Sequence, residues 1–239
     1  MAVAFLDHVE KYRLFDRVIE LRLYRASGSP LFFFTMHDNE TTAARAGKSV
    51  IADQGGQFLE LTHEGTRNVS FQAGGDVYRF DPNRMFSDQG ASASLLDASP
   101  VDQVPEEIVE AVRQLAQYLV DGYQLQSRSQ LYTLHNVTDD LSIRSYLEGG
   151  EFHQNASRVE SGSRGTDEDF FLVNDQVTGA KLVDRGWNVV VQDNQHVEED
   201  GSLSVRARDM QVPYVNVESR QGHINIQKRM ITDLYQVTE

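Results

Sequence analysis

The most apolar segment of the chain is "PLFFFTM" at residues 30–36. A continuously apolar run is typical of a strand covered on both faces, so this one is predicted to lie at the centre of a sheet. "VIELRLYRA" at residues 18–26 instead alternates apolar and polar positions, which predicts a strand at the edge of that sheet. The same patterns predict further strands at 57–63, 129–137, 168–174, 187–193 and 212–219.

The clearest helical pattern lies at residues 105–123, "PEEIVEAVRQLAQYLVDGY", with a proline at the start and acids in the first turn. Helices are also predicted at 40–52 and 222–236. Strands that alternate with helices indicate the α/β class: a single domain over residues 1–239, with a mostly parallel mixed central sheet flanked by helices. The segments 87–104 and 149–168 show neither pattern and are predicted to be long surface loops.

The composition restricts the partners that the chain can bind. A net charge of −14 disfavours nucleic acid and anionic lipid, which need clustered Lys and Arg. Because the chain contains no cysteine, any metal must be held by histidines and carboxylates. No apolar stretch reaches the roughly 18 residues of a membrane span, so we expect a soluble protein, either cytoplasmic or exported with its leader removed. The sequence does not indicate an oligomeric state.

Candidate metal ligands follow the central strand. His37 and Glu40 come directly after the apolar run and can converge on one side of the turn. Nitrogen and oxygen ligands of this kind suit Zn²⁺. A third ligand is expected at the end of another strand, and His135 in "LYTLHNV" meets that condition. The alternative for the pair is an ordinary surface turn that binds no metal.

A group of cationic and amide side chains follows in "RNVSFQAGGDVYRFDPNRMFSD": Arg67, Arg79, Asn83 and Arg84. Such groups hold carboxylates or polarise carbonyls, and here they are concentrated within an acidic protein. The alternatives are surface ion pairs for Arg67 and Arg79, and a simple turn formed by Asp81 and Pro82.

The ordered set of motifs resembles the zinc carboxypeptidase superfamily, and especially its succinylglutamate desuccinylase/aspartoacylase branch. "HDNE" at 37–40 and "DPNRMF" at 81–86 stand where that branch has "HGNE" and "DLNR-x-F". The order of motifs extends over residues 30–225. The resemblance implies one zinc ion per chain, bound by His37, Glu40 and His135.

The resemblance also implies roles for the remaining residues. Glu218 matches the late glutamate that serves as general base, and Arg67 matches the arginine that stabilises the oxyanion, with Arg79 as its rival. Asn83 and Arg84 match the pair that binds a substrate carboxylate. A solvated strand-end acid is the alternative for Glu218, and Asp38 and Pro82 depart from the branch's usual glycine and leucine.

Some further residues have weaker signals. His63 also ends a predicted strand and is an alternative ligand or neighbour of the metal site. Four Asn-x-Ser/Thr sequons begin at Asn39, Asn68, Asn136 and Asn155. Two of them flank proposed ligands, where a glycan would block the site. We interpret the sequons as chance matches, which favours a bacterial type of protein.

Three functions are compatible with these residues. The first is a zinc peptidase or amidase that acts on a peptide with a free carboxylate, such as a cell-wall peptide. The second is a deacylase of small N-acyl amino acids, and the third is a binding protein that has lost the chemistry. The presence of every proposed ligand and base disfavours the third. Only 21 residues follow Glu218, too few for the extra C-terminal β domain of desuccinylase-like relatives, so we favour the first.

Overall fold

The computed structural model of the protein describes residues 5–137 and 141–238. Its strands are β1 Phe5–Leu14, β2 Arg17–Ala26, β3 Phe32–Thr35, β4 Gly56–Thr62, β5 Val69–Ala73, β6 Asp76–Phe80, β7 Leu131–Val137, β8 Ala156–Glu160, β9 Phe170–Val173, β10 Asn188–Gln192 and β11 Tyr214–Arg220. Its α-helices are α1 Thr41–Gln54, α2 Asp88–Ala98, α3 Glu106–Gly122, α4 Gln176–Asp184, α5 Leu203–Asp209 and α6 Ile224–Val237.

Within the described ranges, nine strands form one sheet in the order β1-β2-β4-β3-β7-β11-β9-β10-β8, while β5 and β6 form a separate hairpin. The middle strands β4, β3, β7 and β11 run parallel to one another. The outer pairs β1–β2 and β8–β10 are antiparallel, as are β2–β4 and β9–β11. The predicted α/β class with a mixed central sheet is confirmed.

Helices cover both faces of the sheet. Helices α2, α3 and α5 pack on one face, where α3 contributes Ile108, Val112 and Leu115 to the core. Helices α1, α4 and α6 pack on the other, where Met230 and Ile231 of α6 are fully buried. The alternating four- and three-residue spacing of the α3 side chains gives one continuous apolar stripe, which explains why this helix has the clearest pattern in the sequence. It begins at Glu106, directly after Pro105.

Three sequence predictions need correction. The strand at 18–26 is not an edge strand, because β1 pairs with its outer side and the edge is β1. The segment 87–104 is not a loop: it contains α2, whose first turn is capped by the Ser87 side chain. The segment 149–168 contains β8, which forms the opposite edge of the sheet.

The prediction for 30–36 is confirmed, since β3 lies between β4 and β7 and its three phenylalanines are buried. The carboxyl ends of β3, β7 and β11 therefore meet at one edge of the sheet, where open α/β sheets bind ligands. In the part of the chain that the structure describes, every helix is too short or too polar to cross a membrane.

Candidate metal centre

Three side chains converge at this edge of the sheet. His37 and Glu40 lie in the turn that joins β3 to α1, where the Glu40 amide donates to the His37 carbonyl at 3.1 Å. His135 lies within β7, next to β3. One ligand atom from each residue falls within 4.8 Å of the others, and the exposed fractions are 2% for His37, 2% for Glu40 and 4% for His135. The structure thus brings the three predicted ligands together.

The contacts within this group point to a shared cation. The Nδ1 atoms of His37 and His135 are 3.2 Å apart, and the Glu40 carboxylate lies 2.8 Å from the first and 3.1 Å from the second. Glu40 Oε2 has only its 3.1 Å contact with His135 Nδ1, and His135 Nε2 is buried without a hydrogen-bond partner in the described residues. Two ring nitrogens beside a carboxylate make a nitrogen–oxygen donor set, which fits a zinc ion.

Asp81 orients one of these ligands. Its Oδ1 atom lies 2.7 Å from Nε2 of His37, so the outer ring nitrogen of the ligand is held by a carboxylate. Such a partner fixes the tautomer and orientation of a ligating histidine. From the sequence, Asp81 was expected only to form a turn with Pro82. An acid at the end of a strand, beside other polar residues, is the signal that would have identified it.

Electrostatics at the centre favour positive charge. Burial alone would lower the pKa of His37, but the carboxylates of Glu40 and Asp81 outweigh it and raise the pKa to about 9. Burial alone would raise the pKa of Glu40, whereas His135 and His37 hold that pKa well below its usual range. The pKa of Asp81 is likewise lowered, because His37 and Arg67 outweigh its burial. The negative potential of two ionised carboxylates attracts a cation.

Glu218 lies on β11 beside His135, since the two residues are partners in the parallel register of β11 and β7. Its carboxylate accepts a hydrogen bond of 2.9 Å from the Asn216 side chain. Burial raises the pKa of Glu218, as does Glu40, although His135 opposes the shift. Glu218 is therefore a buried carboxylate at the edge of the candidate metal centre.

Arg67 connects the two acids at the centre. Its guanidinium donates to Glu40 at 3.1 Å and to Asp81 at 3.0 Å, and its side chain is 46% exposed. Arg67 thus stabilises the buried Glu40 carboxylate, while its own side chain still lines the cavity. Its rival Arg79 lies on β6 with an exposed side chain, and the structure does not bring it to the centre.

Asn83 and Arg84 lie near the centre, in the short 3-10 helix Pro82–Arg84, but both already have partners. The Asn83 side-chain oxygen accepts from the Leu203 amide at 3.0 Å, at the start of α5. Arg84 forms an ion pair with Asp200 at 2.7 Å. Sequence reasoning missed Asp200, because it lies in an irregular segment 116 positions from Arg84 and matches no motif.

The candidate ligands line one cavity of about 250 Å³ together with Glu218, Arg67, Asn83, Arg84 and Asp200. Tyr146, Phe152 and Leu172 complete its wall. A larger groove of about 820 Å³ lies against α1 and includes His63. Both ring nitrogens of His63 lack a partner within the described residues, and burial lowers the pKa of the ring. His63 does not belong to the group of converging ligands.

No protein-family model and no curated protein matches the chain. Several solved structures are similar to it, including the following three. A candidate metallopeptidase from Shewanella baltica OS155 is 13% identical, with a TM-score of 0.45 and coverage of 96% of this chain and 86% of its own. A second candidate metallopeptidase, from Shewanella denitrificans OS217, is 12% identical, with a TM-score of 0.40. The match covers 96% of this chain and 82% of that protein. Thrombin activatable fibrinolysis inhibitor is 11% identical, with a TM-score of 0.49. The match covers 97% of this chain and 71% of that protein. All three TM-scores lie below 0.5.

Proposed function

We propose that this chain is a zinc-dependent hydrolase that cleaves an amide or peptide bond. The observation that carries the proposal is the buried group of His37, Glu40 and His135, which offer ligand atoms that lie within 4.8 Å of one another. Two imidazole nitrogens and a carboxylate that face one another in a buried place supply the donor set of a zinc site. Glu218, on the strand beside His135, supplies a carboxylate at the same place.

We assign a role in the hydrolysis to each of several residues of the site. When bound, zinc lowers the pKa of a coordinated water and polarises the carbonyl group of the substrate. Glu218 accepts a proton from the attacking water and delivers it to the leaving nitrogen. Asn216 donates to Glu218 and holds its carboxylate in place. Arg67, rather than Arg79, faces the negative charge that develops on the carbonyl oxygen.

The substrate that we propose is a peptide with a free carboxylate. Arg84 lines the cavity and offers a guanidinium, which binds carboxylates well. Asn83 has a different role from the one that the resemblance implies: its side-chain oxygen holds the start of α5. We therefore assign carboxylate recognition to Arg84 and the support of the cavity wall to Asn83.

Metal analysis tests the proposal directly. Purified protein should contain about one zinc per chain, and His37→Ala and His135→Ala should contain almost none. His196→Ala is the matched control, because His196 is an exposed histidine paired with Asp193. A mass-spectrometric screen should then detect hydrolysis of peptides with a free carboxylate. Full zinc content in both ligand variants would contradict the assignment.

A further inference from the structure

The ion pair between Arg84 and Asp200 forms part of the wall of the cavity that also contains Glu218. Arg84 Nη1 lies 2.7 Å from Asp200 Oδ2, and the other Asp200 oxygen accepts from the Ser202 amide at 2.8 Å. The side chains are 38% and 36% exposed, so both charges remain accessible. The cavity therefore presents a positive and a negative group side by side.

This part of the wall is rigidly built. The Asn83 side chain accepts from the Leu203 amide, and the Phe86 amide donates to the Gly201 carbonyl at 2.9 Å. Gly201 has a φ of +74°, and a Cβ at this position would collide with the Arg84 carbonyl oxygen. Only glycine allows the two segments to approach so closely without strain. The positions of Arg84 and Asp200 are thus fixed by backbone contacts on both sides of the pair.

The pairing changes what the cavity can bind. A carboxylate that approaches Arg84 also meets the Asp200 carboxylate, which repels it. An ammonium group that approaches Asp200 likewise meets the Arg84 guanidinium. A ligand that carries both charges next to each other satisfies the pair, because its carboxylate faces Arg84 and its ammonium faces Asp200. Complementary charge on both sides favours this ligand over either single charge.

We propose that Arg84 and Asp200 recognise a free α-amino-acid head group, with its ammonium and carboxylate together, on a part of the substrate that is not cleaved. This inference rests on the proposed function, because it names the substrate class of that hydrolase. The substrate is then an amide or peptide that ends in a zwitterionic head, as a branched or side-chain-linked peptide does. A simple peptide carboxylate, without an adjacent ammonium, is the poorer ligand.

Binding of three matched six-carbon probes tests the inference without turnover. Norleucine carries both charges, hexanoate only the carboxylate and hexylamine only the ammonium. Ligand-observed NMR on the zinc-loaded protein should give a norleucine Kd at least about tenfold lower than either single-charge Kd. Equal binding of all three probes, or no binding of any, would overturn the proposal.

Two variants make the result specific to the ion pair. Asp200→Asn should lose the preference for norleucine and bind hexanoate more tightly than the wild type, whereas Arg84→Gln should gain affinity for hexylamine. Opposite gains of this kind cannot arise from a general loss of folding. Glu160→Gln, which removes one side of the exposed pair with Arg158, should leave the order of the probes unchanged.

The same samples separate this inference from the proposed function. An amino acid can also chelate zinc, and that contact would preserve norleucine binding in Asp200→Asn, which would overturn the assignment to the ion pair. Zinc content is measured in parallel. Absence of zinc from the wild type would contradict the proposed hydrolase, whereas zinc without the norleucine preference would contradict only the head-group assignment.

Discussion

Two clusters of acidic and polar side chains lie on opposite faces of β11 and differ in how their polar atoms are satisfied. The first contains Glu218, His135 and Glu40, and in it the Glu40 carboxylate faces the Nδ1 atom of His135 at 3.1 Å. The second is built around Asp169, which is fully buried. Asp169 accepts from the Ser219 hydroxyl at 2.6 Å and from the Thr166 amide and hydroxyl at 2.9 Å each.

Similar residue types therefore serve different purposes in the two clusters. Asp169 has donors for both of its oxygens, so it ties the 166–169 turn to β11 and needs no ligand. At Glu40 two ring nitrogens and a carboxylate face one another within 3.2 Å, which is the arrangement of a site that binds an ion. The convergence of two ring nitrogens on a carboxylate, rather than the presence of His, Asp or Ser, distinguishes the candidate metal centre from the structural cluster.

The largest expected effect is a loss of turnover, and two neighbouring residues of β11 separate it from a loss of stability. Glu218→Gln should lower kcat at least about a hundredfold, because it removes the proposed general base. It should leave zinc content unchanged. Ser219→Ala should keep kcat and lower the free energy of unfolding by about 1 kcal/mol, because one hydrogen bond to Asp169 is lost. Turnover of a peptide from the screen and urea unfolding measure the two effects.

Equal losses of turnover in both variants would show that the faces of β11 are not independent. Glu64→Gln is the matched control for Glu218→Gln, because Glu64 is an exposed acid paired with Arg17. It should retain normal kcat.

The second effect concerns stability. Asp169→Asn should lower the free energy of unfolding by about 2 kcal/mol at pH 7, because a buried charged acceptor loses strength toward its donors. Asp167→Asn, an exposed neighbour paired with Arg144, should change it by less than about 0.5 kcal/mol. Urea unfolding compares the variants, and an equal loss in the two would contradict the structural role of Asp169.

The loss of stability in Asp169→Asn depends on pH. Burial would raise the pKa of Asp169, but hydrogen bonds from Ser219 and Thr166 outweigh it and hold the pKa below its usual value. Stability from the ionised carboxylate is fully present above the unfolded-state pKa, near 4, and is lost as pH falls through the lower native pKa. The difference between wild type and Asp169→Asn should therefore shrink below about pH 4.

The smallest effect is a change in metal affinity. Asp81→Asn should weaken zinc binding about tenfold, because the His37 ring loses its carboxylate partner. Asp169→Asn should leave zinc affinity unchanged, since Asp169 touches none of the ligands. Competition with a chromophoric zinc chelator measures both. Unchanged affinity in Asp81→Asn would remove Asp81 from the support of the metal ligand.

Much of the fold could be predicted from hydrophobic pattern, and the failures have physical causes. β3 and α3 were found because their apolar residues are buried in regular order. β1 was missed because, along an exposed edge, only Leu14 of its ten residues is buried. α2 was mistaken for a loop because it buries only Gly90, Ala91 and Leu95, and its start depends on the Ser87 cap.

At the candidate centre, too, some residues could be predicted from the sequence and others could not. His37, Glu40 and His135 lie at or near the carboxyl ends of strands, where chain order and sheet topology together determine position, so the sequence indicated these three, whereas Glu218 was indicated only by the family resemblance. Asp200 lies in an irregular segment before α5, and its place beside Arg84 depends on the close contact at Gly201. No local pattern encodes such a contact, because it joins segments far apart in the chain.

The parallel register of β7 and β11 has a consequence for engineering. Since His135 and Glu218 are partners across two hydrogen-bonded strands, strand spacing, rather than any loop, sets the distance between them. The cavity walls at 141–155 and 193–202 could then be exchanged to change the accepted substrate without separating the two residues. A one-residue slip of β11 would instead present Ser219 in place of Glu218, so a library built on this scaffold should diversify the loops and leave the strands untouched.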